Sequence, residues 1–106
     1  MSSTVTRRST QPDADILHEE ALEEPRLYRV LLHNDDYTSM EFVVFILMEV
    51  FRKTGEEATS IMLAVHKRGI GQCGIYPLEI AETKVSEVHR RAREADFPLR
   101  CTLEVV

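Results

Sequence analysis

At 106 residues and a formal net charge of −5, the chain is long enough for one domain at most. The charge is uneven: residues 1–25 carry two basic and six acidic side chains, whereas 26–106 carry eleven Lys or Arg against twelve Asp or Glu. A near-neutral body argues against a nucleic-acid partner, which asks for a basic surface, and no apolar run reaches membrane-spanning length.

The first 25 residues, MSSTVTRRSTQPDADILHEEALEEP, contain no aromatic side chain and few large apolar ones. Such a segment cannot bury enough apolar surface to offset the entropy of ordering it. Residues 1–25 are therefore expected to form a flexible extension, with a weak helical tendency around DILHEEALEE, and 26–106 a core domain. No apolar leader is seen at the N-terminus. Cys73 and Cys101 show no metal-type spacing and read as reduced core thiols, which points to the cytoplasm.

Residues 26–33 alternate as a strand, with Tyr28, Val30 and Leu32 on one side and Leu27, Arg29 and Leu31 on the other. His33, Asn34, Asp35 and Asp36 then stand in a row before an apolar helix, more hydrogen-bonding capacity than a turn requires. Thr38-Ser39-Met40-Glu41 has the spacing of a capping box, so a helix is expected from near Ser39 to about Lys53. Thr54-Gly55-Glu56-Glu57 repeats the device and starts a second helix, Gly55 to Lys67, whose apolar face is Ala58, Ile61, Met62 and Val65. Gly69 and Gly71 end it. IGQCGIY (70–76) reads as a short strand in which Gly74 permits close approach, and Pro77 suits the first turn of a third helix. Leu78, Ala81, Val85, Val88 and Ala92 form that helix's stripe to about Ala95, and Pro98 breaks it. LRCTLEVV (99–106) is the last strand, with Leu99, Cys101 and Leu103 on one face. The order is βααβαβ, an α+β fold with helices packed on three strands.

The first helix is apolar around most of its circumference, through Phe42, Val43, Phe45, Ile46, Leu47, Met48, Val50 and Phe51. Either the other two helices cover what the sheet does not, or Met40 and Val43 at its open end remain available to line a pocket.

Catalysis has little support. Cys73 with His89, or Cys101 with His66, could be paired as nucleophile and base, yet both cysteines sit mid-strand where a small buried hydrophobe is expected. Asp35 and Asp36 are adjacent, so their side chains diverge, which is poor geometry for an acid–base pair. His33, Asp35, Asp36 and His66 are metal-ligand types without a recognised metal spacing, and no cofactor is implied. GIGQCG (69–74) lacks the strand–helix setting and the Lys-Ser/Thr pair of a phosphate loop. The basic run HRRAREA (89–95) is a solvated helix face or a surface for an acidic partner. His66, one residue past Val65, is either a locally satisfied helix-end residue or an acceptor. With Asn34 and Asp35 it would complete an amide oxygen, a carboxylate and an imidazole nitrogen, a set suited to an α-ammonium with three donors and a positive charge.

The segments LYRVLLHNDDYTSMEFVV (27–44), ATSIMLAVHKRG (58–69), CGIY (73–76), EIAETKV (79–85) and FPLRCTLE (97–104) resemble the ClpS family of bacterial and organellar adaptors, which recognise N-terminal degradation signals. The resemblance implies a three-stranded antiparallel sheet with three helices, similar to the C-terminal domain of the ribosomal stalk protein. It implies binding rather than catalysis: capture of proteins whose first residue is Leu, Phe, Tyr or Trp, and delivery to the AAA+ unfoldase ClpA, which feeds the ClpP peptidase. Carried over by position, Asn34, Asp35 and His66 would hold the α-ammonium, with Asp36 and Thr38 at the loop and pocket rim. His33, Met40, Val43, Met62, Val65 and Leu99 would form the side-chain pocket, Met40 acting as the gate against β-branched first residues. Tyr76, Glu79 and Lys84 would dock on the N-terminal domain of the unfoldase, and residues 1–25 match the extension needed for delivery. His33 stands where the family usually has an aliphatic residue, and Ser39 where it usually has proline. A monomer is the expected state. The competing reading is a module that modulates a AAA+ chaperone without reading N-termini.

Overall fold

A computed structural model describes residues 26–106; the expectations for the first 25 lie outside the described residues. Elements follow in the order β1 (Leu27–His33), α1 (Met40–Glu49), α2 (Gly55–Arg68), β2 (Ile70–Pro77), α3 (Leu78–Glu94) and β3 (Arg100–Val105). This is the expected βααβαβ arrangement. The strands form one antiparallel sheet in the order β2-β1-β3, so β1 is central and its C-terminal end feeds the polar row His33–Asp36.

Period-two alternation sends Val30 and Leu32 into the core, where both are fully buried, together with Cys73 from β2 and Cys101 from β3. In the β1–β2 ladder Val30 pairs with Gly74 and Leu31 with Gln72, so the ladder bulges at Cys73. Ile46 and Leu47 of α1, Ala58 and Val65 of α2, and Ala81, Val88 and Ala92 of α3 complete the core, with Leu99 just ahead of β3.

Helix boundaries follow local chemistry. Thr54 and Glu57 form the expected capping box: Thr54 Oγ1 accepts from the Glu57 N–H at 3.1 Å, and Glu57 Oε1 from the Thr54 N–H at 2.9 Å. Gly69 ends α2 in the left-handed region at φ 90°, its N–H donating to Val65 O at 2.9 Å. The start of α1 departs from expectation. Its N-cap is Ser39, whose Oγ accepts from the Phe42 N–H at 3.1 Å, and Thr38 forms no capping box with Glu41. The Thr38 hydroxyl instead donates to Asp35 Oδ2 at 2.8 Å, and the Thr38 N–H, which a capping box would give to Glu41, donates to Asp35 Oδ1 at 2.7 Å.

Helix α1 also stops earlier than expected, at Glu49 rather than Lys53. The chain reverses through Arg52 at φ 59°, and the Lys53 N–H bonds back to Leu47 O at 3.1 Å. Pro77 ends β2 and serves as the N-cap residue of α3 rather than lying in its first turn. Of the apolar circumference of α1, Val43, Ile46 and Leu47 are buried, while Phe45 and Met48 stay 46% and 41% exposed. Phe45 carries the Arg91 guanidinium 5.8 Å above its ring.

Candidate functional site

Three features bring the end of β1 and the end of α2 together. His33 pairs with Ile70 across the β1–β2 ladder, the Asn34 N–H donates to Gly69 O at 2.9 Å, and Gly69 supplies the turn that makes both possible. Gly71, next on β2, lets α2 lie close, since a Cβ there would stand 2.6 Å from Val65 Cγ2. Two segments more than thirty residues apart in the sequence thus face one another across a cavity.

That cavity, about 250 Å³, is lined by Asn34, Asp35, Asp36, Thr38, Met40, Val43, Met62, Val65 and His66. One wall is polar and exposed, made by the loop after β1 and by His66. The other is apolar: Met40 and Val43 from the first turn of α1, Met62 and Val65 from α2. Two of the pocket residues implied by the resemblance, His33 and Leu99, lie outside the lining. The His33 side chain leaves β1 on the opposite face from Val30 and Leu32, and its Nε2 lies 2.7 Å from Thr102 Oγ1 on β3. Its Nδ1 faces the Arg100 guanidinium at 3.5 Å. Partial burial, then the positive charge of Arg100, hold the His33 imidazole below its ordinary pKa. Leu99 is spent on the core.

The loop is built around Asp35. Its Oδ1 accepts from the Tyr37 N–H at 2.8 Å and the Thr38 N–H at 2.7 Å, and its Oδ2 from the Thr38 hydroxyl. Desolvation opposes ionisation, but these donors outweigh it and keep the carboxylate below the usual range. Three of its roughly four lone-pair positions are in use, so Asp35 orders the loop first and offers a ligand its charge and one remaining lone pair. Among the described residues, hydrogen bonds engage the Asp35 side chain and leave those of Asn34 and His66 to the cavity. Spacing alone showed the acceptor types; it did not show that Asp35 is already the organiser of the turn.

The other candidates resolve differently. Burial pushes both thiols up, Cys101 to about 12, so neither is a thiolate near neutral pH. His89 is no partner of either sulfur: its Nε2 accepts the Cys101 backbone N–H at 3.0 Å. Among the described residues no cluster of three His, Cys, Asp or Glu side chains could hold a metal ion, and no helix is long and apolar enough to cross a membrane. Tyr76, Glu79 and Lys84 gather on one face. The Lys84 ammonium donates to Val50 O at 2.8 Å, at the end of α1, and lies 5.6 Å above the Tyr76 ring. A larger groove of about 480 Å³ runs there along Val50, Glu79, Ile80, Thr83, Lys84 and Glu87. Its acceptors include the carboxylates of Glu79 and Glu87, the second already taken by Arg90 and Arg91.

A family model described as ATP-dependent Clp protease adaptor protein ClpS matches residues 23–102. The chain belongs to the ClpS family. An ATP-dependent Clp protease adapter protein ClpS from Oleidesulfovibrio alaskensis is 64% identical over 98 residues, covering 92% of this chain and 94% of its own. The ClpS of Desulfotalea psychrophila is 52% identical over 100 residues, covering 94% and 98%. Among solved structures, Agrobacterium tumefaciens ClpS2 bound to L-phenylalaninamide matches with a TM-score of 0.76 at 40% identity, over 78% of this chain and all of that one. These ClpS relatives are named as adaptors of a protease, not as enzymes. Ser39 has φ −73°, within the range a proline ring imposes.

Proposed function

We propose that this chain captures proteins through a free α-amino group and a large apolar first side chain, Leu, Phe, Tyr or Trp. It then delivers them in the cytoplasm to a ClpA-type AAA+ unfoldase for degradation by ClpP. The observation that carries this reading is the cavity in which Asn34, Asp35 and His66 converge beside Met40, Val43, Met62 and Val65. An ammonium offers three donors and a charge to the first wall, and the side chain one bond further on meets the second. L-phenylalaninamide, the ligand of the Agrobacterium relative, has this chemistry: a free amine, a benzyl group and an amide where a peptide chain would continue.

The energetics suit an adaptor. Two or three charge-assisted hydrogen bonds contribute about 1.5–3 kcal/mol each, and burial of one Leu or Phe side chain about 1.5–3. Ordering the peptide and losing its free motion costs several of these, so micromolar affinity, about −8 kcal/mol, is near the ceiling. Cargo held that weakly can be passed on. For delivery we propose that Tyr76, Glu79 and Lys84 dock on the N-terminal domain of the unfoldase, with residues 1–25 presented as the extension.

Fluorescence anisotropy with short labelled peptides tests the capture step. Peptides beginning with Leu, Phe, Tyr or Trp are expected to bind, and Ile and N-acetyl-Leu to remain silent. Equal binding of acetylated and free Leu would overturn the ammonium reading and favour a modulator that does not read N-termini.

A further inference from the structure

We infer that Ser39, which lies outside the cavity lining, is a positioning residue that sets which first side chains enter, by holding Met40 in place. The inference rests on the cavity being the N-terminal-residue site and deepens that reading. Asp35 fixes the loop as far as Thr38, through the backbone N–H and hydroxyl of that residue. Ser39 follows at φ −73° and ψ 152°, and its Oγ takes the Phe42 N–H. Its carbonyl accepts the Val43 N–H at 3.2 Å. Phe42 is itself anchored, its ring 4.9 Å from that of Phe97 and 6.0 Å from that of Phe45. Ser39 is therefore the one residue joining the fixed polar loop to the fixed first turn, and Met40 is the next residue along. Met40 lines the cavity yet is 45% exposed, so little packing holds its side chain and its backbone anchor matters more.

Met40 follows the polar loop directly and lines the same cavity, and the resemblance to ClpS adaptors implies that it is the gate against β-branched first residues. Such a residue carries a second substituent at Cβ and, with that gate, enters only when Met40 moves away. Removing an N-cap acceptor shifts the balance between a formed and a frayed first turn by roughly fivefold. A ligand that needs the displaced state gains affinity by the same factor, whereas one that fits the formed state changes little.

The experiment compares the full chain with Ser39→Ala and Ser39→Asn, asparagine being a neutral side chain that keeps a capping acceptor. The readouts are affinities for peptides beginning with Leu, Phe, Ile and Val, together with amide hydrogen exchange at Phe42. Ser39→Ala is expected to leave Leu and Phe within about twofold, to raise Ile and Val affinity roughly fivefold, and to speed Phe42 exchange by a similar factor. Ser39→Asn is expected to restore the parent pattern in all three. An unchanged Leu-to-Ile ratio in Ser39→Ala despite faster Phe42 exchange would overturn the inference alone. So would an asparagine variant that behaves as the alanine one. A parent chain that binds neither Leu nor Phe peptides overturns the proposed function, and the inference with it.

Discussion

Replacing Gly71 with alanine tests whether the close approach of α2 to β2 sets the cavity wall. The added methyl would stand 2.6 Å from Val65 Cγ2, with Ile61 O at 3.3 Å and Ile61 Cγ2 at 3.4 Å. Carbon atoms in contact sit about 3.5–4.0 Å apart, so Val65 must withdraw by about 1 Å. Val65 is buried, so it has no solvent to move into, and the helix must move with it. Overpacking of this kind costs about 1–3 kcal/mol, offset by about 0.4–1 kcal/mol from a stiffer unfolded chain. The net loss is about 0–2.6 kcal/mol, and at about 4–8 °C per kcal/mol for a domain of this size the melting temperature falls by up to about 20 °C.

Because Val65 and His66 both line the cavity, affinity for a Leu peptide is expected to fall about tenfold or more, as a 1 Å misplacement of a positioned group does. Thermal unfolding and peptide anisotropy on the same sample give both numbers. Gly69→Ala is the comparison. Nothing lies within 4 Å of its Cβ position, but its φ is +90°, so it should lose stability through backbone strain while disturbing Val65 far less. Parent-like melting and parent-like binding in Gly71→Ala would refute the reasoning, because the wall would then have yielded without consequence.

Asp35→Asn should weaken Leu-peptide binding by about 10- to 150-fold, the worth of one charge-assisted hydrogen bond. Since the Asp35 pKa is depressed below its ordinary 3.8, its stabilising contribution is complete above that pH and is lost only as pH falls through the lower folded-state value. A parent chain losing loop order already at pH 5, seen as faster Tyr37 and Thr38 amide exchange, would contradict this. His33 acts in a higher window. Its folded pKa lies below 6.5, so the unfolded chain takes up the proton first and stability declines as pH drops from about 6.5 toward the folded value. Urea unfolding of His33→Gln should show that segment of the pH profile flattened. Lys84→Met should lower the melting temperature even without any partner, because the ammonium satisfies Val50 O; a loss of about 1–2 kcal/mol is expected by denaturant titration. An unfoldase-binding defect in that variant is therefore to be read only against its stability.

The element order could be read from local chemistry because each boundary carries its own signal: the Thr54–Glu57 box, the glycine after Arg68, the alternation of Val30 and Leu32. The start of α1 could not. Thr38 and Ser39 are both good caps, and the choice between them is made by Asp35, which takes both the N–H and the hydroxyl proton of Thr38 into the loop and leaves Ser39 to cap the helix. At the site, residues contributed by the loop and by the inner stripes of α1 and α2 could be placed on one cavity from periodicity and motif. The resemblance alone places His33 there, whereas period-two alternation groups it with Arg29 and Leu31, on the face away from Val30 and Leu32. Its partner Thr102, 69 residues away on β3, is what local spacing could not show. Leu99 escaped for a related reason: its apolar character is the same whether it faces a ligand or the core.

The bond from the Asn34 N–H to Gly69 O has a kinetic consequence. It clamps two distant segments before any ligand arrives, so the acceptors stand in place rather than assembling around the amine. A preformed site takes up its ligand at a rate governed by encounter, with differences among related ligands expressed in how fast they leave. Peptides differing only in their first residue should then associate at nearly equal rates and part company in residence time. Selection by this protein would be a matter of how long each chain stays, and the unfoldase would receive those that linger.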